Sequence, residues 1–159
     1  MTPTHGAPAQ RERGERFPPR AHIRTGAEFS RCFARGKRTG GRVFIAIHRP
    51  HDASDLDAGI AMARLGMAIS RKVDKRAVER NRLRRLVREW FRRNLHALPP
   101  GDLVITGKPA ARSAGASQVF SELDMLAARL GLMPSRRPGR MPGSAPPAPS
   151  GDTPRVSSP

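Results

Sequence analysis

Residues 71–93 read RKVDKRAVERNRLRRLVREWFRR, and the spacing of charged and apolar residues in this stretch decides the fold. Eleven of these residues are Lys or Arg and three are Asp or Glu, which gives the segment a net charge of +8. At about 100° per residue, the apolar side chains share one arc of a helix, which consists of Leu83, Leu86, Val87, Trp90 and Phe91. The opposite arc holds Arg80, Asn81, Arg84, Arg85, Arg88 and Arg92. The stretch therefore predicts an amphipathic helix that is capped by Asp74, ends near Asn94 and buries one face.

The basic arc of this helix favours a polyanionic partner. Like charges recur every four residues at Arg80, Arg84, Arg88 and Arg92, and each such pair destabilises an isolated helix by a few tenths of a kcal/mol. A face that is merely solvated does not need this arrangement, whereas guanidinium groups bind phosphate in a bidentate manner. We therefore predict that this face binds nucleic acid.

The composition of the whole chain agrees with one small, strongly basic domain. The chain has 159 residues and a formal net charge of +17, which indicates an acidic partner. Aromatic residues make up 4% and Tyr is absent, so we do not expect a broad stacking platform for single strands. The single cysteine, Cys32, excludes a disulfide framework and any multi-cysteine zinc site. No apolar run approaches the roughly 18 residues of a membrane span, and no signal-peptide pattern is seen, so we expect a cytoplasmic protein.

The two ends of the chain differ in composition from its middle. Residues 134–159 include eight Pro, five Ser and three Gly, and such a segment has little apolar surface to bury. We predict a disordered tail at 134–159 and a disordered basic arm at 1–16. The folded domain is then expected to span residues 17–133.

Within this domain the pattern predicts six elements in the order α-β-β-α-β-α, an α+β sandwich with helices packed on a small sheet. They are a helix capped by Thr25 and stopped by Gly36, strands at 42–48 and 64–70, the basic helix, a strand at 102–106 and a helix after Ser117 closed by Gly131. Strand 42–48 alternates, with Val43, Ile45 and Ile47 on one side and Phe44 and Ala46 on the other. Residues 51–59 predict a loop.

The sequence offers no group suited to catalysis by the polypeptide itself. Its five histidines lack the spacing of metal ligands, and residues 52–57 resemble a calcium loop only superficially because the required Gly and closing Glu are missing. Cys32 has no evident base partner and is interpreted as a small buried apolar residue. We expect no catalytic residue and no metal bound by the protein alone.

Several short motifs together resemble the protein subunit of bacterial ribonuclease P. Arg80-Asn81-Arg82 follows a strand that reads Arg64-Leu65-Gly66-Met67-Ala68-Ile69-Ser70 and ends in Arg71-Lys72. Phe29 and Phe33, followed by Gly36, are similar to the first-helix signature of that family, and Gly101-Asp102-Leu103-Val104-Ile105 is similar to its strand after the basic helix. The matches occur in the family's order from about residue 17 to residue 132.

This resemblance implies a fold with a left-handed β-α-β crossover around the basic helix. It also implies that the chain acts in ribonuclease P, a ribonucleoprotein endoribonuclease. There, a catalytic RNA with divalent metal ions such as Mg²⁺, held mainly by the RNA, cuts precursor tRNA to give the mature 5′ end. The implied partners are the catalytic RNA and precursor tRNA, including its single-stranded 5′ leader, and neither DNA nor a membrane.

The resemblance also implies roles for individual residues. The side chains implied to face the catalytic RNA, with Arg84 added from the same basic arc, are Arg80, Asn81, Arg82, Arg84, Arg85 and Arg88. Arg71 and Lys72 are implied to form the basic end of a strand beside a leader cleft, whose residues are Phe29, Phe33, Val43, Ile45 and Ile47. Ile47 stands where relatives often have an aromatic residue, and the Pro-rich tail lies outside the family pattern.

Other interpretations of these residues remain open at this point. Phe29 and Phe33 could be core residues, and Val43, Ile45 and Ile47 could be the core face of their strand. Arg82 lies off the basic arc and could contact a different RNA strand or a helix end. Alternative functions are a structural RNA-binding protein of the ribosomal type, a DNA-binding module or a protein of anionic membrane surfaces. A ribosomal-type protein would not need an apolar groove beside the basic helix. A DNA-binding module is disfavoured because no helix-turn-helix pair accompanies that helix.

Overall fold

A computed structural model describes residues 18–134, so the predicted arm at 1–16 and all but the first residue of the predicted tail lie outside the described residues. The helices are α1 (Gly26–Arg35), α2 (Ala53–Asp57), α3 (Ala77–Asn94) and α4 (Ala116–Arg129). The strands are β1 (Lys37–Gly40), β2 (Phe44–Pro50), β3 (Arg64–Ala68) and β4 (Gly101–Gly107). Short 3-10 turns occupy Pro19–Ala21 and Pro109–Ser113.

The predicted α+β class is confirmed, and two further elements are present. The first is β1, a short, polar and largely exposed strand that the apolar pattern could not indicate. The second is α2, which lies inside the predicted loop 51–59. It forms because the Asp52 side chain accepts a hydrogen bond from the backbone N–H of Asp55 at 3.1 Å, while Asp55 reaches back to Asp52.

The four strands form one sheet in the order β1-β2-β4-β3. The pairs β1–β2 and β2–β4 are antiparallel, whereas β3 and β4 are parallel. The parallel pair requires the chain to cross over between its strands, and α3 makes this crossover. Its left-handed sense stays a prediction, because strand pairing is compatible with either hand.

One face of the sheet packs against α3 and α4 and forms the main core. Phe44, Leu65 and Ile105 from the strands are almost fully buried there. The buried residues of α3 are Leu83, Val87, Trp90 and Phe91, which confirms the apolar arc apart from the half-buried Leu86. Because these side chains fix the rotation of α3 on the sheet, they also determine which way its Arg residues point.

The other face of the sheet packs against α1 and the segment that precedes it. Cys32 of α1 packs with Ile23, Ile47 and Val104, and Phe29 packs against the edge of this smaller cluster. The start of α1 is fixed by a capping box, in which the Thr25 side chain accepts from the Glu28 N–H and the Glu28 carboxylate accepts from the Thr25 N–H. α1 has ten residues and leaves part of this sheet face half-buried.

A buried ionic cluster ties α1 to the sheet. Asp102 is fully buried and accepts from Arg49 Nη2 at 2.9 Å, Arg64 Nε at 2.7 Å and His51 Nε2 at 2.9 Å. Arg64 extends the cluster to α1 by donating to Glu28 Oε1 at 2.6 Å. Burial alone raises the pKa of Asp102, but the hydrogen bonds from Arg64, His51 and Arg49 outweigh it and hold this pKa below its usual range.

Two predictions about local structure are wrong. Asp74 does not cap α3, because the helix begins at Ala77 and the Asp74 carboxylate instead accepts from the Arg76 backbone N–H at 2.8 Å. Val43 does not share a face with Ile45 and Ile47. It precedes β2, where its N–H donates to Glu122 Oε1 at 2.6 Å and its side chain enters the main core.

Candidate nucleic-acid interface

Three Arg residues of α3 form a row along the outer side of β3. Arg84 Nη2 donates to the carbonyl of Ile69, just past the end of β3, at 2.8 Å. Arg88 lies one turn further along α3, nearer the start of β3, because α3 connects two parallel strands and runs antiparallel to them. Arg80 begins the row, with Nη1 donating to the carbonyls of Asp74 and Lys75 at 2.9 and 2.7 Å. We call Arg80, Arg84 and Arg88 the cation row.

The protein anchors this row without neutralising it. Arg80 and Arg84 are half-buried, and their hydrogen-bond partners are backbone carbonyls and, for Arg84, the Asn81 side-chain oxygen. Arg85 and Arg88 are exposed. Within residues 18–134, the carboxylates of α3 pair with other Arg residues, Glu79 with Arg82 and Glu89 with Arg92 and Arg93. The row therefore presents positive charge, and hydrogen bonds fix the direction of Arg80 and Arg84.

Arg82 is placed away from the cation row. Its guanidinium contacts Glu79 at 2.9 Å, the carbonyl of Ala114 at 3.1 Å and the carbonyl of Arg112 at 3.4 Å. These contacts connect α3 to the 3-10 turn that follows β4. They indicate that Arg82 helps to hold the fold together, and a contact with RNA stays a prediction for this residue.

Arg71 and Lys72 are exposed in the turn that follows β3. They line a basic groove of about 750 Å³ at the start of α3. Its other lining residues are Val73, Asp74, Lys75, Arg76, Arg112 and Ser113. Within this groove Asp74 is paired with Arg76 at 3.1 Å, so the remaining cations are available to an anion at the Arg80 end of the row.

The predicted cleft residues separate into three groups. Phe29 and Phe33 stack with their ring centroids 6.5 Å apart and 26° between their planes, and Phe33 is 50% exposed. Ile45 is half-buried on the same sheet face, and Ile47 is buried beneath α1. Val43 is fully buried in the main core on the other side and cannot contact a ligand here.

Two features of this cleft are not among the predicted residues. Gly66 lies beneath Phe29, where an added Cβ would come within 2.9 Å of Phe29 Cε1. The half-buried Ala68 and Thr106 align with Ile45 across β3, β4 and β2, so these three residues form the open floor of the cleft. Ala68 and Thr106 are identified from the strand register, which could not be predicted from the sequence.

Comparison with known families adds an independent observation. The ribonuclease P family model matches residues 17–131, a range that includes the cation row and the cleft at Phe29 and Phe33. The chain belongs to the ribonuclease P protein family. Its resemblance to that family, noted from short motifs, is thereby confirmed.

Relatives of this ribonuclease P protein align over most of their length. The ribonuclease P protein component of Xanthomonas campestris pv. campestris is 38% identical over 140 residues, 87% of this chain and 89% of the relative. That of Xylella fastidiosa is 32% identical over 120 residues, 76% of this chain and 83% of the relative.

Solved structures of ribonuclease P proteins share this fold. The Staphylococcus aureus protein superposes with a TM-score of 0.64 at 22% identity, over 71% of this chain and 97% of that protein. The Thermotoga maritima protein has a TM-score of 0.57 at 28% identity, over 68% of this chain and 96% of that protein.

The thiol of Cys32 has a structural role in this ribonuclease P protein. Cys32 is buried, and its thiol lies 3.7 Å from the carbonyl of Ile47 and 3.6 Å from that of Asp102. Burial raises the pKa of Cys32 to about 11, so the thiol is neutral at physiological pH.

Among residues 18–134, no three His, Cys, Asp or Glu side chains are placed to hold a metal ion. The same residues include no helix with the length and apolar character to cross a bilayer.

Proposed function

We propose that this chain is the protein subunit of ribonuclease P and binds the catalytic RNA along the cation row, with the leader of precursor tRNA in the Phe29–Phe33 cleft. The observation that carries the proposal is the row itself, in which backbone carbonyls hold Arg80 and Arg84 and no carboxylate among residues 18–134 forms an ion pair with them. In this arrangement the catalytic RNA, with divalent metal ions, hydrolyses the phosphodiester and leaves the mature 5′ end.

The anchored Arg side chains favour binding in two ways. Each phosphate that they neutralise releases counterions and contributes about 0.7–0.9 to the slope of log K against log salt. Because Arg80 and Arg84 are already held by hydrogen bonds, they lose less side-chain entropy when RNA docks. Exposed Arg85 and Arg88 supply further phosphate contacts beside them.

The cleft suits unpaired bases of the leader. Phe33 offers half of its surface to solvent beside Phe29, and stacking of a base on an aromatic ring contributes about 1–3 kcal/mol. Ile45, Ala68 and Thr106 provide a shallow floor. A leader held here is fixed relative to the RNA bound on α3, which positions the scissile phosphate near metal ions held by the RNA.

The polypeptide contributes position and charge in this mechanism, whereas the catalytic RNA supplies the reacting metal ions. Cys32 is neutral and buried, and His51 is committed to Asp102 within the ionic cluster. Both groups thus support the fold. Positive charge on α3 offsets the repulsion between two polyanions, the catalytic RNA and its substrate.

Reconstitution with the catalytic RNA at low magnesium tests the proposal for α3. The Arg85→Ala/Arg88→Ala variant removes two exposed cations, and we expect weaker assembly with a shallower salt dependence. Arg93→Ala is a matched control on the same helix, because Arg93 is exposed but pairs with Glu89 and lies over Phe120. Equal assembly of the double variant and the wild type would overturn the assignment.

Leader length tests the cleft separately. Phe33→Ala removes an exposed ring without opening the core, and we expect it to weaken binding of precursor tRNA with a long leader. Mature tRNA without a leader should bind the variant and wild-type holoenzymes equally. Equal losses with both RNAs would show that the ring does not contact the leader.

A further inference from the structure

A second groove lies at the opposite end of β3 from the leader cleft. It has a volume of about 720 Å³, and its walls come from residues 19–28, which lead into α1, and residues 58–64, which lead into β3. His22 and Ile23 hold the first wall against the sheet, His22 by its bridge to Leu65 and Ile23 by an N–H bond to the Leu65 carbonyl at 3.0 Å. The first wall is therefore fixed to β3 by backbone pairing.

The two walls of this groove differ in chemistry. Ile60 and Met62 provide apolar surface on the wall formed by residues 58–64, and Met62 is 38% exposed although it is a large apolar side chain. Arg20 and Arg24 are exposed on the other wall. A pocket with apolar surface on one side and cations on the other suits a ligand that has a flat apolar part and a negative charge.

The carboxylate in the groove does not cancel this positive charge. Glu28 accepts hydrogen bonds from the N–H groups of Arg24 and Thr25 and from Arg64. Burial opposes ionisation of Glu28, but the hydrogen bonds from Thr25, Arg24 and Arg64 lower its pKa to about 2. Glu28 is thus charged and bonded to Arg64, which also bonds to the buried Asp102, whereas Arg20 and Arg24 make no ion pair with a carboxylate among residues 18–134.

The cation row leads directly to this groove. Arg84 lies just past the end of β3, and α3 runs back towards the start of that strand because β3 and β4 are parallel, so Arg88, one turn after Arg84, lies nearer to the groove. The leader cleft is distinct, because its floor includes Ala68, and Arg64 and Ala68 are about 13 Å apart along β3. RNA that follows the row past Arg88 therefore reaches the groove without crossing the cleft.

We propose that this groove binds one unpaired nucleotide of the catalytic RNA. Its phosphate lies between Arg20 and Arg24, and its base packs on Met62 and Ile60. The proposal rests on the function proposed for α3, since it takes the RNA bound by the cation row to be the catalytic RNA. The groove then marks the end of the RNA path on the protein.

Site-directed crosslinking tests this assignment in the full ribonucleoprotein. A Met62→Cys variant is labelled with a benzophenone maleimide, while Cys32 stays unlabelled because it is buried and its thiol is neutral. Met125→Cys on α4 is the matched control, since Met125 and Met62 are 37% and 38% exposed. We expect the label at position 62 to crosslink an unpaired nucleotide of the catalytic RNA, and the control to give at least tenfold less product. Crosslinks to the leader, to paired nucleotides, or at control level would overturn the proposal.

A binding measurement separates failure of this proposal from failure of the proposed function. Arg20→Ala should weaken holoenzyme assembly about tenfold, as expected for one charge-assisted contact, and lower the salt slope by about 0.7–0.9. The preference for a long leader should be unchanged. If Arg20→Ala binds as the wild type does while Arg85→Ala/Arg88→Ala does not, the groove assignment alone is wrong. If neither variant loses affinity, the proposed function of α3 is wrong as well.

Discussion

Replacing Asp102 with Asn tests how strongly the buried ionic cluster stabilises the packing of α1 on the sheet. The substitution keeps the shape of the side chain but removes the charge that faces Arg49 and Arg64, whose side chains are only 6% and 7% exposed. It also removes an acceptor from the set of three contacts at 2.7, 2.9 and 2.9 Å. Removing one partner from a buried ion pair costs about 3–5 kcal/mol because the other charge stays buried without compensation.

This loss is large compared with the total stability of a small domain, which is about 5–15 kcal/mol. With a urea m-value of about 2 kcal/mol/M, the unfolding midpoint of Asp102→Asn should fall by about 2 M, measured by circular dichroism. Asp57→Asn removes an exposed carboxylate and serves as the control with an unchanged midpoint. A shift of less than about 0.5 M at an unchanged m-value would refute the reasoning, because the Arg side chains would then be solvated without Asp102.

Three further predictions follow from other parts of the structure. Glu28 and Asp55 have folded-state pKa values of about 2, below their usual 4.5 and 3.8, so their contribution to stability is present above pH 4.5 and is lost as the pH falls towards 2. Thermal unfolding between pH 2 and 7 should therefore show a falling Tm in that window, and a constant Tm would contradict the ion pairs. Gly66→Ala should displace Phe29 and weaken long-leader substrates more than leaderless tRNA, since the new Cβ would lie 2.9 Å from Phe29 Cε1. Cys32 should react with a thiol reagent only in urea, and rapid modification of the native protein would show that α1 opens.

The parts of the fold that were predictable from sequence are those determined by local periodicity. α3 has 18 residues, and its buried Leu83, Val87, Trp90 and Phe91 lie on a different side from the cation row, so the phase of the helix indicated both the core and the cation row. The capping box at Thr25 and the left-handed Gly131 after α4 are likewise short-range signals. These elements therefore lie close to where the pattern placed them.

The parts that were missed depend on contacts between distant residues. Val43 leaves the alternation of its strand because its N–H bonds to Glu122, 79 residues away. Asp102 looks like an ordinary polar start to a strand, and its partners Arg49 and Arg64 are brought to it only by the strand order. The groove at Met62 arises from two segments joined across the sheet edge, and no single stretch of sequence contains it.

The two edge strands of the sheet, β1 and β3, are protected in different ways. Beyond β3, Ala21–Ile23 approaches the outermost strand and partly satisfies its backbone. At the other edge, β1 is only four residues long and exposes Lys37 and Arg38, and Arg129 of α4 donates to its Gly40 carbonyl at 3.1 Å. Strand addition by an identical subunit would bring these cations face to face, so self-association along this border is disfavoured. Repulsion at this edge therefore opposes strand pairing between two copies of the chain and keeps the cationic surfaces accessible.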